Sequence, residues 1–247
     1  MKTNLYIPRS YRNECANSRF IQFTVRQKES DLFISAHRDL TSQAESVLTV
    51  LRQQLEEYIE YDQEFLFSLK PVAVSTGAPA IIKEMARAAR LANVGPMAAV
   101  AGALSEYIGR YLNQFSTEVI VENGGDIFMI TKKPVTVAIY AGHSPLSMRL
   151  GIELKPYPRG LGIATSSGTV GHSLSLGSAD AVTVLAKSAA LADAAATAIG
   201  NMVRSERDIP AALDTVRKIR GIIGLVVIIG ERIGVVGKDL KIVPFAY

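Results

Sequence analysis

The stretch SAALADAAATAIGNMV, Ser188 to Val203, decides how the rest of the chain is read. Alanine dominates it, and alanine has the highest helix propensity of any residue. Ser188 is suited to cap the first turn, so the spacing predicts a helix from about Ser188 to Val203. An alanine helix needs neither an acid nor a hydroxyl for its stability, yet Asp193 and Thr197 stand one turn apart on one face. Two readings are open. In the first, Asp193 complements the helix dipole and Thr197 bonds back to a carbonyl. In the second, the carboxylate and hydroxyl together present hard oxygen ligands suited to Mg²⁺ or Ca²⁺. The alanines would keep that face slim enough for a ligand to approach.

Working outward, strands are expected near Leu161–Thr165 and Ala181–Leu185, flanking the loop ATSSGTVGHSLSLGSAD. Thr165, Ser166, Ser167 and Gly168, then Gly171, His172 and Ser173, are rich in donors and small in bulk. Such loops cradle phosphates through N–H groups and hydroxyls, and His172 suits anion binding or acid–base work near neutral pH. A surface hairpin would use the same composition. Earlier, VENGGDIFM places Asn123, Gly124, Gly125 and Asp126 between two short strands. The glycines allow positive φ and close backbone approach to a ligand, although Asn-Gly is also a strong signal for a plain hairpin turn.

The remaining segments complete an α+β pattern with mostly hairpin-linked strands. FIQFTVRQKESDLFISA, Phe20 to Ala36, alternates as two half-buried strands around QKESD. Ser42 and Glu45 form a capping-box pattern ahead of Val47, Leu48, Leu51, Leu55, Tyr58 and Ile59 at helical spacing. Residues 81–113 read as two helices separated at Asn93–Gly95, with Pro96 in the first turn of the second. A strand follows in VTVAIYA, a short helix begins near Pro210, and LVVIIG, RIGVVG and LKIVPF read as three closing strands. One domain over residues 1–247 is expected, with two packed halves meeting near 115–120 as an alternative within it.

Composition limits the function classes. The 247 residues are 48% hydrophobic, enough for a sizeable core, and carry a formal net charge of +4. Basic residues are spread rather than massed, and no tryptophan is present, so neither a nucleic-acid platform nor a base-stacking surface is expected. A small anionic ligand suits this balance. One cysteine, Cys15, excludes an intramolecular disulfide, and His37 and His143 lack acidic neighbours at metal-ligand spacing. The most apolar run, GIIGLVVIIG, is about half a membrane span and reads as a buried strand. No membrane association and a cytoplasmic location are expected. The chain has no G-x-S-x-G elbow, no Walker A sequence and no G-x-G-x-x-G after the first strand.

A strand ending in NGGD, then a TSSG loop leading to a histidine, then SAALADAAATA resembles the ApbE superfamily. GPMAAVAGALSEYIG, KESDLFI and GLVVIIGERIGVVG look like its small, signal-less branch found in archaea and bacteria, so the resemblance covers nearly the whole chain. It implies an ApbE-like fold related to the T-fold, with FAD or FMN in a cleft and a magnesium-dependent transfer of FMN to an acceptor protein. Carried over by motif, it makes Asp193 and Thr197 ligands of Mg²⁺, with Asn123–Asp126 and Thr165–Gly168 lining the cofactor cleft. The segment GTVGHSLSLGSAD is shorter than its counterpart in well-known transferases and lacks their D-P-x-T-G run, so His172 and Asp180 are only approximate catalytic counterparts. The expected function is a Mg-dependent transferase or pyrophosphatase acting on FAD-like ligands. The alternatives are a non-catalytic binding protein of the same fold, or a factor in sulfide and homocysteine assimilation as association within the branch implies. The small-residue helix from Pro96 to Leu112 leaves a homo-oligomer open.

Overall fold

The computed structural model describes residues 19–168, 177–238 and 240–245. The first hairpin joins β1 (Ile21–Gln27) to β2 (Ser30–Ala36), with Phe23 opposite Ile34 and Val25 opposite Leu32. Pairing continues to Gln27 and Ser30, so the connection expected over QKESD contracts to Lys28 and Glu29, Lys28 having φ 52°. Helix α1 (Thr41–Tyr61) buries Ala44, Leu48, Leu51, Leu55 and Tyr58. Its start corrects the capping-box expectation. Ser42 lies inside the first turn, Leu40 is the N-cap residue, and the Asp39 carboxylate accepts from the N–H and hydroxyl of Thr41.

Short α2 (Gln63–Phe67) precedes α3 (Ala80–Ala92), which stops at Asn93 in the left-handed region, φ 56°. Pro96 opens a 3-10 turn, Pro96–Ala99, that runs directly into α4 (Val100–Leu112). The strands β3 (Val119–Asn123), β4 (Asp126–Thr131), β5 (Val135–Ala138), β6 (Leu150–Leu154), β7 (Tyr157–Ser166) and β8 (Ala181–Ala186) follow. Helix α5 (Ala189–Met202) comes next, with the Ser188 hydroxyl accepting from Leu191 N–H as its N-cap. The chain continues through α6 (Ile209–Val216), β9 (Ile222–Ile229), β10 (Arg232–Val236) and β11 (Lys241–Pro244).

One sheet of eight strands has the order β1-β2-β3-β4-β7-β8-β9-β10, and every neighbouring pair is antiparallel. A second sheet, β11-β6-β5, is antiparallel as well. This is the expected α+β class with mostly antiparallel sheets. The large sheet is covered on both faces, which its sequence alternation reflects. Val182, Val184, Leu225 and Val227 point into the core shared with the helices. Their neighbours Ala181, Leu185, Val226 and Ile228 enter a second core with Ile152 and Leu154 of the small sheet. The run read as a buried strand is β9, with Leu225 to Ile228 fully buried.

Helix α5 lies at the centre of the helical layer, packed on β7 and β8 and flanked by α3 and α4. Close approach to α4 depends on Gly102, where a Cβ would stand 2.2 Å from the Ala189 carbonyl oxygen and 2.9 Å from Asp193 Cβ. Among the described residues, no helix is long and apolar enough to cross a membrane.

Candidate functional site

Nearly all of α5 is buried, including Ala190, Leu191, Ala192, Ala194, Ala195, Ala196 and Ile199. Asp193, Thr197 and Asn201, each four residues after the last, form a partly accessible polar stripe along this apolar helix. Alanine-rich packing therefore leaves a narrow window lined by a carboxylate, a hydroxyl and an amide.

Asp193 faces the start of α4. Its Oδ2 accepts from Gly102 N–H at 2.9 Å, and the Ala101 N–H also bonds to the carboxylate. These N–H groups belong to the first turn of α4 and have no partner within that helix, so Asp193 caps a helix other than its own. The dipole reading thus applies to α4 rather than to α5. Burial pushes the Asp193 carboxyl up to about 7, against the pull of the Gly102 and Ala101 N–H groups. Among the described residues the Thr197 hydroxyl has no hydrogen-bond partner, so the expected back-bond to a carbonyl is not made.

The NGGD segment reaches the same wall. Gly124 (φ 71°) and Gly125 (φ 104°) form a two-residue turn between β3 and β4, pairing Asn123 with Asp126. The hairpin and site readings of this segment are therefore compatible. Asn123 Nδ2 donates to the Ala101 carbonyl at 3.5 Å, while Ser105 Oγ donates to the Asp126 carbonyl at 2.9 Å. Strand alternation puts Asn123 on the helical face with Val119 and Val121, and its cross-strand partner Asp126 there too.

The TSSG segment divides between two faces. Ser166 lies on the helical side, where a Cβ on Gly200 of α5 would meet its Oγ at 3.1 Å. Thr165 has the opposite parity, shared with Leu161 and Ile163, and its Oγ1 bonds to Thr183 Oγ1 at 2.9 Å. Its hydroxyl is therefore turned away from α5, and only its backbone approaches the Gly-Gly turn, 3.8 Å from where a Gly125 Cβ would stand. Gly168 N–H donates to the Ala179 carbonyl, and its Cα packs so closely on Gly177 that a Cβ would stand 2.2 Å from that carbonyl oxygen. Ser167 has a bonded neighbour of its own. Asp180 accepts the Gly230 N–H at 2.7 Å at the β9–β10 turn, a contact that holds the hairpin and does not join it to Asp193 or Thr197. His172 and Cys15 lie outside the described residues. His37 has an acidic partner that its sequence neighbourhood does not reveal, with Nε2 3.2 Å from Glu118 Oε2.

Among the described residues, no three His, Cys, Asp or Glu side chains gather as a metal cluster. The donors present are instead one carboxylate and one free hydroxyl, both hard oxygens. They fit a cation such as Mg²⁺, which keeps several waters and takes one or two carboxylates together with phosphate oxygens from a ligand.

The family model described as AbpE bacteria matches residues 12–229. The chain belongs to this ApbE-like family. A UPF0280 protein of Methanococcus aeolicus is 46% identical over 197 residues, 77% of this chain and 79% of its own. A UPF0280 protein of Methanocaldococcus jannaschii is 43% identical over 222 residues, 87% of this chain and 90% of its own. Among solved structures, the flavin transferase ApbE of Vibrio cholerae superposes with a TM-score of 0.53 at 15% identity, covering 92% of this chain and 97% of that one. The apo flavinyl transferase ApbE of Pseudomonas stutzeri reaches 0.56 at 14% identity, covering 89% and 95%. At such identities the likeness establishes the ApbE fold.

Within that fold, Asn123, Asp126, Ser166, Asp193 and Thr197 share the helical side of the large sheet, whereas the Thr165 hydroxyl does not. The α4 N–H groups that receive Asp193 were not legible in sequence. Nothing local to GPMAAVAG marks Ala101 and Gly102 as its partners, beyond the small residues that permit close approach.

Proposed function

We propose that this ApbE-like protein binds an FAD-like ligand together with Mg²⁺ and acts as a flavin or nucleotide transferase or pyrophosphatase. The observation that carries this reading is the pairing of the α4-anchored Asp193 carboxylate with the unpartnered Thr197 hydroxyl, beside the Gly124–Gly125 turn. Asp193 and Thr197 would hold the cation. When bound, a divalent ion there would neutralise phosphate charge and favour displacement at phosphorus.

The chain's own groups act around it. The Gly102 and Ala101 N–H groups fix the carboxylate in one orientation, so it is presented without a search over rotamers. Gly124 and Gly125 let the turn backbone approach a ligand without side-chain bulk. Asn123 and Asp126 supply polar contacts from the same turn, and Ser166 and the Ser167–Gly168 backbone supply them from the facing strand end. His172 is the candidate proton carrier, and Asp180 acts through the hairpin it holds. An acceptor protein would take the transferred group if the reaction is a transfer. The resemblance to the named flavin transferases and the order of the three motifs support this reading.

Equilibrium dialysis of FAD against the purified protein, with Mg²⁺ or with EDTA, tests it. Mg²⁺-dependent binding that is lost in Asp193→Ala and Thr197→Val is expected. Absence of any Mg²⁺-dependent flavin affinity in the folded protein would overturn it. Binding without consumption of FAD assigns the non-catalytic role instead.

A further inference from the structure

A cavity of about 850 Å³ opens at the N-terminal end of α5, between α3, α4 and the segment leading into β9. None of the candidate cofactor, metal or catalytic residues described above lines it. Leu191 of α5 is in its wall, whereas Asp193, two residues on, lies about 200° further round the helix. The cavity and the Asp193 stripe therefore occupy different sides of α5.

Its charge is strongly one-sided. Arg87, Arg90, Arg110, Lys187 and Arg220 all contribute, against Glu84 and Glu106. Both acids are already engaged. Glu84 takes a two-point bond from Arg87 at 2.6 and 2.8 Å and also accepts the Ser188 hydroxyl. Glu106 takes Arg110 at 2.7 and 2.9 Å and accepts Ala189 N–H at 2.7 Å. Those acceptors also cap α5, so the helix end offers little to an outside anion. What remains is Arg90, Lys187 and Arg220, none of which has an ion partner among the described residues. Three uncompensated cations around one concavity repel each other and focus a positive potential into it.

We propose that this cleft is a second ligand site, for a small molecule carrying two or more phosphates. Several charges on one ligand match the surplus of three cations, and guanidinium forks suit phosphate oxygens. The volume lies in the range of small-molecule sites, and Leu91, Leu191 and Tyr107 give the ligand an apolar wall. Tyr107 also offers a neutral hydroxyl donor, since burial pushes its pKa up, further raised by Glu84 and Glu106.

Calorimetric titration of the full chain with inorganic tripolyphosphate, in EDTA and at low ionic strength, tests the site. Saturable binding is expected, weakened at least about fivefold in each of Arg90→Gln, Lys187→Gln and Arg220→Gln. Lys28→Gln makes the same change in net charge at a distant ion pair with Glu56 and should leave the affinity unchanged. Orthophosphate should bind more weakly than tripolyphosphate. No binding, equal affinity for orthophosphate, or an equal loss in Lys28→Gln would overturn the proposal. The Mg²⁺-dependent increment of FAD binding, measured with Mg²⁺ against EDTA on the same variants, should match that of the unaltered protein, so failure of one site is distinguished from failure of the other.

Discussion

Two enclosed carboxylates in this molecule have opposite fates. Glu118, only 5% exposed at its side chain, accepts Lys132 and Lys133 N–H at 2.7 and 3.3 Å, pairs with Arg19 at 2.9 Å and faces His37. Burial pushes its pKa up, but the Lys132 N–H, the Arg19 charge, the Lys133 N–H and His37 together bring it below the usual carboxylate value. Asp193 has two backbone N–H groups and no cation among the described residues, and burial carries it up to about 7. A fully compensated acid ties segments together. An acid with dipoles but no countercharge leaves room for a cation supplied from outside. Glu118 stands in a structural junction between β3, the β4 end and the first hairpin; Asp193 stands in a partly accessible stripe.

The largest expected effect comes from removing the geometry that makes Asp193 distinctive. Gly102→Ala puts a methyl group against the Ala189 carbonyl, so α4 and α5 must part; a loss of about 3 kcal/mol in chemical denaturation is expected. A near-neutral result would mean that the two helices slide freely and that the Asp193 contact is adjustable.

Next in size is Asp193→Ala. The gain in FAD affinity on adding Mg²⁺ should fall at least about tenfold, while stability drops by only about 1 kcal/mol, the worth of a lost helix cap. The contrast fails if stability collapses and the Mg²⁺ response survives.

Glu118→Gln should do the reverse, leaving Mg²⁺-dependent FAD binding intact and costing about 1–2 kcal/mol at neutral pH. Because the folded pKa of Glu118 is lowered, its contribution is present above the ordinary carboxylate value and disappears as pH falls through the folded one. The stability gap between the two proteins should accordingly close in acid, as urea titrations at a series of pH values would read. A gap that widened in acid would remove Glu118 as the compensated member of the pair.

The smallest effect is expected at Ser188, whose hydroxyl caps α5 and donates to Glu84. Ser188→Ala should cost about 1 kcal/mol and leave the Asp193 stripe's ligand binding unchanged, since its hydroxyl bonds to Glu84 and Leu191 N–H and to nothing in the stripe.

Sequence reasoning reached a good part of this molecule because local chemistry dictates local conformation. Alanine propensity and Ser188 located α5, Asn93 and Pro96 divided the helical pair, and two glycines defined the β3–β4 turn. Motif order also marked Asp193 and Thr197, which are the cation ligands proposed above. The capping box at Ser42 failed because α1 begins two residues earlier, with Leu40 at the N-cap, where the Asp39 carboxylate accepts the Thr41 N–H.

What lay beyond the sequence depends on partners distant along the chain. Asp193 meets an N–H group 91 residues before it, and His37 meets Glu118 81 residues after it. Thr165 looks equivalent to Ser166 in a run of small polar residues, yet alternation along β7 sends their side chains to opposite faces. The basic cleft is drawn from α3, α4, α5 and the approach to β9, segments whose arginines and lysine look scattered when read in order. Propensity and periodicity act over a few residues, so the sequence by itself determined the elements and the polar stripe on α5. Which of those elements face each other is decided by burial of their apolar faces, and only the tertiary structure assembled one carboxylate with the start of another helix and five cations around a single cavity.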